Sequence, residues 1–222
     1  MITYKNRIYL KAVVLLIVSL VPLSLVDFNT ALGQQKFHEL ESYSVKYVLE
    51  GSTEGIKNHY SRNWGNTICM IEISETEMPG GSVVKKNEKV ITRVQDGEQW
   101  IYTINLDTNT GTKMKNPMYK SLVAQMEGES PREFSEHFIK QMGGKVVGDD
   151  TVLGENCTEW NIMDVSRVCV TEDLITLKTS AKMSGVSLSE TAVEVKRNEH
   201  GPADACEIGD EKITHMGAIP GQ

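Results

Sequence analysis

The residues best suited to covalent chemistry in this chain are its four cysteines, Cys69, Cys157, Cys169 and Cys206. None forms a C-x-x-C pair, so a thioredoxin-like redox motif and a Cys-type zinc site have no support. An even number of cysteines in an oxidising compartment implies disulfides, with three possible connectivities. The five histidines, His38, His59, His137, His200 and His215, never recur at two- to four-residue spacing. A local metal motif is therefore absent, and no metal is expected. Glu133, Ser135 and His137 carry the residue types of a hydrolytic triad. They sit within one helical turn and a half, whereas triads are assembled from distant elements around a buried acid. A solvated helix face with an i,i+4 contact is the expected arrangement. Gly143-Gly144-Lys145 lacks the upstream glycine and the hydroxyl residue of a phosphate loop, and no helix follows it as a dinucleotide fingerprint requires. Gly143 reads instead as a helix cap. Glu75/Glu77 and Asp149/Asp150 fall in turn-like segments and read as solubilising charges, not an acid/base couple. Asn156-Cys157-Thr158 matches a glycosylation acceptor but lies at the start of a strand. The expectation is a protein that is not an enzyme and needs no cofactor.

Charge and hydropathy then bound the class. The formal net charge is −7. Without a basic stripe, such a chain repels a polyanion, which excludes nucleic acid as a partner. Residues 1–33 carry Lys5, Arg7 and Lys11, then a 15-residue apolar-dominated run interrupted by Pro22, then Ala31-Leu32-Gly33. A membrane-spanning helix needs about 20 apolar residues. The shorter run with its charged start and small-residue ending reads as a cleavable export signal, with the mature chain beginning at Gln34. No comparable run follows, so no transmembrane segment is expected once the signal is removed. The periplasm is the expected compartment, and 34–222 the single mature domain.

From residue 34 onward there are 16 Val, 13 Ile and 15 Thr but 8 Leu. Branching at Cβ favours the pleated strand over the helix. Alternation in 43–49 gives a strand with one buried face. Strands follow at 55–62 and 67–75. A hairpin pairs 88–95 with 98–106 across Asp96-Gly97, where both turn positions need positive φ. A short strand occupies 112–115. Residues 117–142 change period and read as two short amphipathic helices. Met118, Leu122 and Met126 stripe the first, and Phe134, Phe138 and Met142 the second. Ser130-Pro131-Arg132-Glu133 starts the second as a capping box. Strands return at about 145–147, 155–162, 166–171, 174–182 and 186–197, with Gly148-Asp149-Asp150 read as a turn. The tail from 198 reads as loop-rich. Short turns throughout favour an antiparallel meander of roughly ten strands.

One hairpin can be placed in register. Centred on Met163, it sets Cys157 opposite Cys169 and Glu159 opposite Arg167, with Trp160, Ile162, Val168 and Val170 on the other face. Cys157 and Cys169 are therefore expected to bond, which leaves Cys69 and Cys206 as candidates for a second pair.

The stretches DGEQWIYTINLDTNTGTKMKNPMY (96–119), GGKVVGDDTVLGENCTEW (143–160) and VCVTEDLITLK (168–178) resemble an uncharacterised branch of exported bacterial proteins. That branch falls within the superfamily of outer-membrane-lipoprotein carriers and receptors (LolA/LolB-like), and the resemblance spans about 40–213. It implies an α+β, β-rich fold: a curved, unclosed antiparallel sheet whose concave face is covered by short helices. It also implies a lipid-like or other apolar ligand, or alternatively an envelope protein as partner. If the helices cover the concave face, Trp100, Tyr102, Ile104 and Leu106 of one strand should look at Met118, Leu122, Met126, Phe134, Phe138 and Met142. Tyr47, Tyr60 and Tyr102 would then supply hydroxyls to a headgroup.

Overall fold

The structure is a computed structural model of the chain and describes residues 35–183 and 185–216. The expected signal segment lies outside the described residues. Among those described, no helix is long and apolar enough to cross a membrane.

The strands in chain order are β1 (Tyr43–Gly51), β2 (Thr53–Arg62), β3 (Thr67–Glu77), β4 (Val83–Gln95), β5 (Glu98–Asn105) and β6 (Thr110–Lys115). Two helices follow, α1 (Tyr119–Gln125) and α2 (Pro131–Gln141). Then come β7 (Gly144–Val152), β8 (Glu155–Ile162), β9 (Ser166–Val170), β10 (Thr176–Met183), β11 (Val186–Arg197) and β12 (Lys212–His215). All twelve strands join one unclosed sheet in the order β12-β6-β5-β4-β3-β2-β1-β11-β10-β9-β8-β7. This is the β-rich α+β architecture with two short helices that the residue pattern predicts.

The sheet is two meanders rather than one. β1–β6 and β7–β11 each run by local turns, and a long-range antiparallel pairing of β1 with β11 joins them. The helical segment therefore carries the chain from β6, near one edge, to β7, the other edge. α1 packs on β5 and α2 on β7.

Local chemistry explains several boundaries. Asp96 (φ 52°) and Gly97 (φ 70°) make the expected hairpin turn, with Gln95 paired to Glu98. At the start of α2, the Ser130 hydroxyl accepts from the Glu133 amide at 3.2 Å, and the Ser130 amide donates to Glu133 Oε2 at 2.9 Å. Two groups that the helix cannot satisfy itself are thereby paired.

Two expectations of local structure need correction. Gly148-Asp149-Asp150 is not a turn: β7 runs through it with a bulge between Val146 and Gly148, and the chain reverses at Leu153 (φ 56°) and Gly154 (φ 79°). The loop-rich tail adds one short strand, β12, which pairs in parallel with β6. The β8–β9 hairpin is centred on Asp164, so Glu159 pairs with Cys169. The slip is two residues, which preserves every face in a period-two strand. Cys157 and Cys169 are thus diagonal neighbours on one face. They are bonded, with Cα atoms 5.3 Å apart. Arg167 still reaches Glu159, at 3.5 Å. Cys69 and Cys206 form the second disulfide.

Two clusters hold most of the buried apolar side chains. One gathers Tyr43, Val45, Tyr47, Ile175, Leu177 and Ala192. The other gathers Cys69, Ile91, Tyr102, Ile104 and Cys206. Register separates them: Tyr43 and Val45 pair with Ser61 and His59, while Tyr60, between those two, starts the row Tyr60–Cys69–Ile91–Tyr102. The clusters therefore lie on opposite faces of the sheet. Residues 35–42 cover the Tyr43 face, with Leu40 packed on the cluster and Phe37 against Tyr119 of α1 at 6.1 Å. The tail covers the Tyr102 face, with Ile208 and Ile213 packed on it.

Candidate functional site

The two residue sets expected to share a cavity are separated by this arrangement. Tyr60, Trp100, Tyr102 and Ile104 look at the tail, not at the helices. Leu106 is partly exposed in the turn after β5. Tyr47 is on the opposite face, and its hydroxyl donates to the Thr176 carbonyl at 2.7 Å, so it is already used. On α1, Leu122 is half-buried and Met118 exposed, while Met126 is buried next to Gln35. On α2, Phe134 stacks on Phe138 at 5.9 Å, and Phe138 and Met142 are 37% and 39% exposed. Alternation along the strand is as expected. What decides the partners is which chain segment lies over which face, and that is set by the tail anchored through Cys206.

A cavity does form under a helix, but on different residues. It lies between α2 and β7–β9 and has a volume of about 490 Å³. Arg132, Ser135, Ile139 and Lys140 form its helical wall, at the spacing that places them on one face of α2. Trp160, 6% exposed, and Val146, Val170 and Leu174 line the other side. Register puts Val146, Trp160, Val168, Thr179, Glu190 and Leu49 in one row across the sheet. Gly144 sets the helix height: a Cβ there would lie 2.4 Å from Ile139 Cγ2 and 2.6 Å from the Ile139 carbonyl oxygen. Glycine alone lets the start of β7 pass that close.

Arg132, Lys140, Glu136 and Glu172 at the cavity rim form a chain of ion pairs. Arg132 contacts Glu136 at 3.3 Å and Glu172 at 3.0 Å. Lys140 lies 5.9 Å from the Trp160 ring and 3.6 Å from Glu136. These groups are solvent-facing, so they can turn toward an anionic headgroup at small cost. The Glu133–Ser135–His137 stretch does not assemble: Ser135 lines the cavity, whereas His137 is exposed and bonded to Glu129 at 2.9 Å. Among the described residues no cluster of three or more His, Cys, Asp or Glu is arranged to hold a metal.

No family model and no curated protein sequence matches the chain. Solved structures do. An uncharacterized conserved protein from Thermus thermophilus aligns at TM-score 0.50 and 9% identity, covering 79% of this chain and 90% of that one. PNGF-II aligns at TM-score 0.46 and 13% identity, covering 80% of this chain and 31% of that one. A DUF1329 family protein from Desulfovibrio piger ATCC 29098 aligns at TM-score 0.33 and 10% identity, covering 77% and 91%. Of these three, only the Thermus protein reaches a TM-score of 0.5, and at that identity the shared property is the fold.

Proposed function

We propose that this chain is a non-enzymatic, exported binding protein for a lipid-like or other apolar ligand, held in the cavity between α2 and β7–β9. The observation that carries this reading is the cavity itself. Its volume of about 490 Å³ is in the range of small-molecule sites, and a buried Trp with Ile and Val walls stands next to two solvent-facing cations, Arg132 and Lys140. The resemblance to lipoprotein carriers supports the ligand class. Two disulfides support an oxidising compartment such as the periplasm.

A second reading, a module that docks an envelope protein, is favoured by exposed apolar side chains around the β7 edge. Met142, Val146, Val147 and Met163 are 39%, 55%, 48% and 69% exposed. Exposed apolar groups gathered at a sheet edge are a common form of interaction surface.

Solvent extraction of protein purified from the exported fraction separates the two. Mass spectrometry of the extract should show a lipid or other amphiphile at near one mole per mole of protein. Protein that is reproducibly free of extractable ligand, even after incubation with membrane lipid, would favour the docking module.

A further inference from the structure

The face under the tail combines cations with aromatic and aliphatic side chains. Its rows are Arg62–Thr67–Arg93–Trp100, Tyr60–Cys69–Ile91–Tyr102 and Ile71–Lys89–Ile104. Cations and aromatics alternate across it, and Lys113 adds a further cation 4.1 Å from the Trp100 ring centre.

What sits on this face defines what it recognises. Arg62 donates to the carbonyls of His200 and Pro202 at 2.7 and 2.6 Å. Arg93 donates to the Cys206 carbonyl at 2.5 Å, and Lys89 to that of Glu207 at 2.8 Å. Lys89 also pairs with Glu211 at 2.8 Å, with both side chains largely buried. β12 then adds to β6 as a parallel strand. The covering segment, 198–216, has five carboxylates against one lysine. Carbonyls read by arginines, a carboxylate read by a lysine, and strand addition at the end are the contacts by which a sheet reads an extended acidic peptide.

We propose that this cationic, aromatic face is a docking site for extended acidic peptide segments of a partner protein. In the oxidised chain its own residues 198–216 occupy it as a strap latched by Cys69–Cys206. In the dithiol form the strap exchanges with the partner's segment. A dithiol of the thioredoxin type supplies the two electrons and two protons that turn the latch into two thiols, and is itself oxidised to a disulfide. Both latch sulfurs belong to buried residues, so the strap opens first at the exposed Ala203–Asp204 turn.

The test uses the full chain with Cys206→Ser, which leaves Cys69 as a thiol under an unlatched strap. The probe is a synthetic peptide of residues 198–216 whose own cysteine carries a 2-thiopyridyl group. On docking, the Cys69 thiolate attacks the peptide sulfur, the mixed disulfide forms, and pyridine-2-thione leaves. Released thione and intact mass read the rate. The acidic peptide should label Cys69 at least tenfold faster than the same peptide with Glu211→Lys. Equal rates would overturn the proposal, and so would a strap-swapped dimer that excludes the peptide. Should Cys206→Ser not fold, Glu211→Lys in the oxidised chain provides a second measurement. Dithiothreitol should then reduce Cys69–Cys206 at least tenfold faster than in the wild type, with Cys157–Cys169 unaffected. An unchanged rate would overturn the proposal, because recognition of the strap's carboxylate by Lys89 would then not hold it in place.

Discussion

Cys206→Ser should lower the unfolding free energy by about 5 kcal/mol, and Cys157→Ser by about 3 kcal/mol. The difference follows from the loops that the bonds close. Cys69–Cys206 ties residues 137 apart in sequence, Cys157–Cys169 residues 12 apart. A cross-link removes more conformations from the unfolded chain when its loop is longer, by an amount that grows with the logarithm of loop length. The long-range bond also anchors the strap over Ile91, Tyr102 and Ile104, so its loss wets an apolar cluster. Urea unfolding of the two variants under non-oxidising conditions measures both costs. Equal costs would mean that loop closure is not the source of the stabilisation. A Cys157→Ser cost above that of Cys206→Ser would place the critical constraint in the β8–β9 hairpin.

Acid should destabilise the Tyr43 face through two histidines. His38 stands edge-on to the Tyr43 ring at 5.3 Å, and His59 stacks on that ring at 5.6 Å. Burial holds His38 at about 4. Burial, then the neighbouring His38 and Lys57, hold His59 at about 3. Both values lie below the unfolded value of 6.5. As pH falls, the unfolded chain therefore takes up these protons first. The stabilisation is complete above about pH 6.5 and is lost as pH falls through the folded values. Its slope approaches about 1.4 kcal/mol per pH unit for each histidine. The groups facing the pair are Tyr43 and, further along the face, the Lys57–Glu190 ion pair. The first segment to loosen should be 35–42, where Gly65 makes room for His38: a Cβ there would lie 2.4 Å from His38 Cδ2. Urea midpoints at pH 7 and 4.5 measure the loss. His59→Phe should keep the stack and flatten the profile. A variant as acid-sensitive as the wild type would remove His59 from the account.

Much of this architecture can be read from local sequence, because its turns and caps are local chemistry. Asp96-Gly97 demands positive φ at two positions, and Ser130 with Glu133 satisfies its own helix end. Pairing between distant segments has no such signature. Nothing near Tyr43 or Arg197 announces that β1 and β11 are neighbours, and this one pairing turns a single meander into two. β7 misleads for a different reason: Gly148-Asp149-Asp150 has turn composition, but Gly148 pairs with Glu159 and Asp149 with Thr158, and the bulge beside them takes up Val147. The α2 cavity is half visible in the residues. The Trp160, Val168 and Val170 stripe is apolar at period two, and Arg132, Ser135 and Ile139 share a helical face. The Phe134, Phe138, Met142 stripe is the more hydrophobic one, yet it lies about a quarter turn away. Gly144, which pulls Ile139 rather than Phe138 onto the sheet, settles the choice by steric contact. Hydrophobicity cannot register that.

The cavity under α2 is most directly tested by titrating N-phenyl-1-naphthylamine, an uncharged fluorescent apolar probe, into wild type, Ile139→Glu and Phe138→Glu. Ile139 lines the cavity, and its neighbour Phe138 is partly exposed beside it. A carboxylate in the cavity wall disfavours an apolar occupant, whereas one on the outer face is solvated. Circular dichroism controls for folding. Wild type and Phe138→Glu should bind the probe within twofold of each other, and Ile139→Glu at least tenfold more weakly, which is about 1.4 kcal/mol. Equal binding by the two folded variants, or no binding by wild type, would contradict a ligand site between α2 and the sheet.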